Sequence, residues 1–200
     1  MSRKVFDIIT SAGGVAVVVA LVIAGALLTW GHSFVNSNVH SQLAQQQIYF
    51  PPKAAFAHAK AGTEITPGMI PSVSQYAGQQ MLTGQQAEAY ADHFIAVHVA
   101  EMSGGKTYSQ LSSESLAQPN NVKLAATVGT VFKGESLRSM LLNAYGWWKI
   151  SQITYIAAII SFALAGLSLI TSAFAFGLRR RNGPEAQTEQ PVTPRVPAHV

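Results

Sequence analysis

The stretch YADHFIAVHVAE, Tyr90 to Glu101, concentrates the chain's most reactive side chains. Two histidines and two carboxylates fall within twelve residues. Imidazole nitrogens and carboxylate oxygens are the usual donors to zinc or non-haem iron, so the question is whether this spacing can close on one ion. A helix turns about 100° per residue, which sets His93 and His98 about 140° apart. The helical zinc pattern needs histidines four apart. His98 and Glu101, three apart, share a face and are the candidate metal pair, but two ligands do not make a site. His32, His40, His58 and His199 lie far away in the chain. The expectation is therefore no metal, no cofactor and no catalytic residue: an ordinary helix burying Ala87, Ala91, Phe94, Ile95, Val97 and Met102, with Glu88 and Asp92 on its wetter side. No nucleophile elbow, phosphate-binding loop or dinucleotide fingerprint occurs elsewhere, and the expected class is a protein that is not an enzyme.

The elements that position this stretch follow from the distribution of charge. Charged residues make up only 11% of 200, and they avoid two runs. Ile8 to Trp30 holds 23 residues without a charge, and Ile153 to Leu178 holds 26. About 20 apolar residues suffice to cross a bilayer as a helix. Arg3 and Lys4 precede the first run, and Ala24-Gly25-Ala26 resembles a signal-peptide cleavage site. The apolar run continues past it, however, so an uncleaved anchor is expected. The net charge of +4 forms no basic face interleaved with aromatics, which argues against nucleic acid as a partner. The chain contains no cysteine, so packing alone must hold the part outside the lipid.

Orientation is read from the basic residues next to the runs. Arg3 and Lys4 flank one, and Arg179, Arg180 and Arg181 flank the other; between the runs, seven basic residues face six acidic ones. Both termini are expected in the cytoplasm of a bacterial cell, with the protein in its plasma membrane. Trp30, Trp147, Trp148 and the three arginines are expected at the membrane interfaces. The expected organisation is an N-terminal segment 1–7, a transmembrane helix 8–30, an extracytoplasmic helical domain 31–152, a second transmembrane helix 153–178 and a disordered tail 179–200. The class is all-α, with both membrane helices extended outward around a small helical domain.

Within that domain the first helix is expected to continue past Trp30 and to stop before Pro51-Pro52. Residues 51–80, rich in Pro-Pro, Ala-Gly and Pro-Gly pairs, read as loop with at most a short turn. Thr83 and Gln86 form a capping box opening the helix that carries YADHFIAVHVAE, which ends at Ser103-Gly104-Gly105. A shorter helix follows over Ser109 to Ala117. Asn121 caps another over Val122 to Phe132, with Gly134 as its stop, and a further helical stretch leads into the second span.

Neither span carries Asp, Glu, Lys or Arg, which argues against a proton relay or a self-contained transporter. Small residues recur instead: Ala16, Ala20 and Ala24 in the first span, and Thr154, Ala158, Ser161, Ala165, Ser168 and Ser172 in the second. Such strips let helices approach closely, either within one chain or between chains. The same spacing continues outward through Trp147, Ala144, Met140 and Leu137. The expected partners are the lipid bilayer together with other membrane proteins or further copies of the chain. The leading functional expectation is an accessory or scaffold subunit of a membrane assembly. The alternatives are an oligomeric channel lined by Thr154, Ser161, Ser168 and Ser172, or a membrane-tethered metalloenzyme using His98 and Glu101.

The segments MSRKVFDIITSAGG, NSNVHSQLAQQQIYFPP, GQQAEAYADHFIAVHVAEMSGGKTYSQLS and VFKGESLRSMLLNAYGWW together resemble a family of actinobacterial two-span membrane proteins. The resemblance covers most of the chain except the tail. Some members carry the automatically assigned name aromatic ring-opening dioxygenase, alpha subunit. That name implies iron held by two histidines and a carboxylate; the resemblance brings no assigned functional residues with it.

Overall fold

The computed structural model describes the backbone of residues 3–181 and the side chains of residues 12–177. Of the expected tail, 179–200, the backbone of 179–181 is still helical, while residues 182–200 and the side chains of Arg179, Arg180 and Arg181 lie outside the described residues. Among the described residues the fold is all-α. Helix α1 spans Arg3–Gln46 and α7 spans Val122–Arg181. At about 1.5 Å per residue these are about 66 and 90 Å long, each more than twice the roughly 30 Å of a hydrocarbon core. Both are long and apolar enough to cross a membrane. The protein is a two-span membrane protein with a helical domain between its spans.

By internal contacts the chain forms two compact units. One comprises the chain up to Leu27 and from Ala157 onward; the other is Leu28–Ile156. In the first, the two apolar helices pair antiparallel: a Cβ on Gly14 would touch Ser172, Ser161 donates to the Leu21 carbonyl at 3.3 Å, and Gly25 lies under the ring of Phe162. Their outward faces, including Val15, Ile23, Leu27, Ile160, Leu167 and Phe174, are exposed apolar surface. Lipid is the solvent that such a surface requires.

The second unit has its own core. The α1 helix ends at Gln46, followed by Gln47 in the left-handed region (φ 51°), with Pro51-Pro52 preventing any continuation. The chain then runs extended. Residues 48–51 pair with 78–81 through a Tyr49–Gln80 bridge, with Phe50 N–H donating to Gln79 O and Met81 N–H to Ile48 O, both at 2.9 Å. The Gln80 amide donates at 2.9 Å to Ala44 O at the end of α1, a carbonyl that also accepts from Gln47 N–H at 3.2 Å. Between the paired segments lie α2 (Lys53–Phe56), a 3-10 turn (Pro67–Met69), α3 (Ile70–Val73) and a second 3-10 turn (Ser74–Tyr76). This region is more ordered than its Pro and Gly content suggests, and it supplies Phe56, Ile65, Met69 and Val73 to the core.

Helix α4 (Gly84–Tyr90) opens with the Thr83–Gln86 capping box, passes through a π-helical turn (Ala91–Ile95) and continues as α5 (Ala96–Ser103), stopped by left-handed Gly104. Helix α6 (Tyr108–Ala117) has a second capping box, Thr107–Gln110, that the sequence reading overlooked. Asn121 caps α7, its side chain accepting from Leu124 N–H at 3.0 Å. Gly134 is not a stop, because α7 runs through it. A Cβ at Gly134 would lie 2.5 Å from Val99 Cγ2, so this glycine lets α5 approach α7 closely.

Candidate functional site

Inside Tyr90–Glu101 the π turn changes the expected face. The Ala96 N–H reaches back five residues to Ala91 O. Such turns insert one residue and shift the side chains that follow. Val99, not Met102, therefore joins Ala87, Ala91 and Ile95 in the core; Met102 is exposed, while Phe94 and Val97 are half-buried. His93 and Glu101 are exposed. His98 is half-buried against the Phe94 ring, and its Nδ1 lies 2.8 Å from Phe94 O. A carbonyl only accepts, so Nδ1 carries the proton and donates. Asp92, on the π turn, accepts from Arg138 Nη2 of α7 at 2.9 Å, and Glu135 flanks the same guanidinium at 3.5 Å. The Asp92 hydrogen bond is the main reason that the Arg138 pKa is raised above its ordinary value. The carboxylate next to His93 is thus engaged in holding two elements together.

No three His, Asp or Glu side chains converge among the described residues. The set of two histidines and one carboxylate implied by the dioxygenase name is not assembled by His93, His98, Asp92 and Glu101, and these residues do not fit such an iron site.

A second polar constellation, not foreseen from the sequence, joins α1 and α7 within the Leu28–Ile156 unit. His32 Nδ1 lies 2.8 Å from Ser151 O and 3.2 Å from Ser151 Oγ, with Tyr155 against the imidazole ring at 4.8 Å. Ser151 is fully buried. Histidine and serine in contact suggest a nucleophile and its base, but the geometry assigns the opposite roles. Because Nδ1 donates to a carbonyl, it has no lone pair with which to take the serine proton. The group is a polar clasp between the two long helices. The signal for it in the sequence was a lone histidine at a span end, which carries no information about its partner 119 residues away.

The third feature is a cleft of about 620 Å³ between α1 and α7, floored by buried Val39, Leu43 and Leu141. Its walls include Phe34, Met140, Ala144 and Trp147. Leu137, Met140, Ala144 and Trp147, the outward extension of the small-residue strip, all line it.

Comparison with protein-family models, curated proteins and solved structures returns no match to this chain.

The remaining site residues are placed as follows. Ala158, Ser161 and Ala165 are buried, and Thr154 and Ser168 are half-buried; Ser172 is exposed. In the first span Ala16 and Ala20 are exposed and Ala24 is half-buried; the face turned to the second helix carries Gly14, Val18, Leu21 and Gly25. The reason is angular: Ala16 and Ala20 each lie two residues, about 200° around the helix, from Gly14 and Val18. Trp30 and Trp147 are exposed, whereas Trp148 packs its Cβ over Gly84 and stacks on Tyr145 in the helical domain.

Proposed function

We propose that the protein is a non-catalytic accessory or scaffold subunit whose helical domain, held on the extracytoplasmic side, docks other membrane proteins or further copies of itself. The observation that carries this reading is the exposed apolar surface of α6 and the first turns of α7. Leu116 and Val122 are 81% and 79% exposed, and the Tyr108–Phe132 ring pair, at 5.5 Å, lies partly open to water. Val122 stands about 45 Å along α7 from Ile153, so lipid does not account for this surface. Apolar surface held in water costs free energy that contact with a protein partner would recover. The uncharged spans support the same reading, because they offer packing faces and no relay. The hydroxyl strip favours packing over a pore, since the Ser161 hydroxyl is bonded to the Leu21 carbonyl of the paired helix.

The experiment is photo-crosslinking in intact cells, with benzoylphenylalanine replacing Leu116, Val122 or Phe132 in turn. Discrete higher-mass products from at least one position are expected. Uncrosslinked chain at all three positions, together with a monomer in mild detergent, overturns the proposal.

A further inference from the structure

We infer that the cleft between α1 and α7 in the Leu28–Ile156 unit holds the acyl chain of a membrane lipid. The choice of occupant rests on four observations. The lining has no charged side chain: Val35, Val39, Leu43, Ile48 and Leu141 form an apolar trough. A free fatty acid would bring a carboxylate with no cation in the lining to meet it, whereas a lipid ester is neutral. Its polar side-chain groups are the carboxamides of Asn38, Gln42, Gln46 and Asn143 and the indole N–H of Trp147, all uncharged. Asn38, Gln42 and Gln46 follow one another at four-residue spacing, which sets them in a row along α1. Exposed amides on the rim can donate to ester and glycerol oxygens without demanding charge.

The dimensions favour a single hydrocarbon chain. From Phe34 to Gln46 the trough runs about 18 Å along α1. An acyl chain occupies one leaflet, half of a hydrocarbon core, or about 15 Å. The cleft, about 620 Å³, lies within the range of small-molecule pockets.

The trough is also continuous with the apolar end of its own unit. Trp30 stacks on Phe34 at 5.6 Å, and Trp147 stands with exposed Ile150 on α7. Both tryptophans belong to the level where a bilayer gives way to water. A chain entering between Phe34 and Trp147 leaves hydrocarbon and meets hydrocarbon-like walls. Its floor is already formed, because Val39, Leu43 and Leu141 are buried in the domain core. Phe34, Leu137, Met140 and Trp147 remain exposed along it and await a covering group, Met140 most of all at 70%.

The test uses the full chain reconstituted into vesicles containing a phosphatidylcholine with a diazirine at the end of one acyl chain. After irradiation, labelled peptides are mapped by mass spectrometry. Adducts on 35–48 and 137–144, outside the two apolar runs, are expected alongside adducts within the runs. Ala144→Trp fills the trough from its wall and should lower the trough adducts by about tenfold or more, leaving span labelling unchanged. Met140→Glu places a charge on the exposed rim and should act in the same direction, so the test survives if the larger replacement fails to fold. Labelling confined to the spans in the unaltered protein overturns the inference, as does trough labelling that neither substitution reduces. Crosslinks to protein from Leu116, Val122 or Phe132 report on the accessory role and leave this result untouched.

Discussion

Three glycines of the helical domain, alike in sequence, differ in what an added methyl group would meet. At Gly84 a Cβ would overlap the Trp148 side chain and press on the Tyr145 backbone, and at Gly134 it would strike Val99. At Gly129, in the exposed part of α7, it would meet nothing. Gly84→Ala should therefore destabilise the domain by about 1–3 kcal/mol through overpacking. Gly134→Ala should do likewise, but Val99→Ala in the same chain should recover part of the loss by removing the methyl in the way. Gly129→Ala should stabilise by about 1 kcal/mol, because alanine loses less backbone freedom in a helix. Thermal unfolding of the four variants in one detergent decides these signs. Tyr90 makes a separate prediction about pH. Burial, then the charge of Glu64, raises its pKa above 10.0. The folded state holds that proton more tightly than the unfolded chain, so this contribution is complete below pH 10.0 and is lost as pH climbs through the higher folded value. Alkaline titration of stability should steepen above pH 10.0 in the native chain and less so in Tyr90→Phe.

At the scale of elements, the segment between Pro51 and Gln80 tests what local composition can conceal. Its Pro and Gly pairs interrupt periodicity, so it reads as loop. Yet Met69 and Val73 are completely buried, and Met81 just beyond it is too. The ordering comes from tertiary contacts: the extended pairing of 48–51 with 78–81, and the Gln86 carboxamide, which accepts from Leu82 and Thr83 N–H and donates to Gln79. Met69→Ala should cost about 2–5 kcal/mol, the range for truncating a buried side chain, whereas a true loop residue would cost under about 0.5. Urea titration in detergent separates the two. The legible parts of the fold were those written in local chemistry: the Thr83 and Asn121 caps, the Gly104 stop, the Pro51-Pro52 block and the uncharged runs. The missed parts depend on distant neighbours. Gly134 looked like a stop because a helix-breaking residue and a close-approach residue are the same letter; Val99 decides which it is. The π turn moved Val99 inward and Met102 outward, and no pattern of 3.6 residues announces such an insertion. The candidate chemistry at His98 was weak in spacing and is weaker in geometry, while the His32–Ser151 clasp needed both long helices side by side before it could be seen.

At the scale of the whole molecule, the arrangement of the spans and the side on which the domain lies are separate questions. A chain without cysteine lets both be answered with introduced thiols. In the apolar unit a Cβ at Gly14 would come within 3.5 Å of Ser172 Oγ. The double variant Gly14→Cys with Ser172→Cys should therefore oxidise within one chain, seen as a shift in mobility at monomer mass. If the strip instead packs between copies, the same variant gives disulfide-linked dimers, and the intrachain seam fails as the packing surface in the membrane. Sidedness follows from arginine and lysine next to the spans, since moving them across lipid is costly during insertion. A thiol replacing Ala61, an exposed position, should react with a membrane-impermeant maleimide added to intact cells. A thiol replacing Gln187 should react only after lysis. The reverse pattern would put the helical domain in the cytoplasm and remove the extracytoplasmic docking role. The acyl-chain trough would survive that outcome, because its walls and its aromatic end belong to one unit whichever leaflet they face.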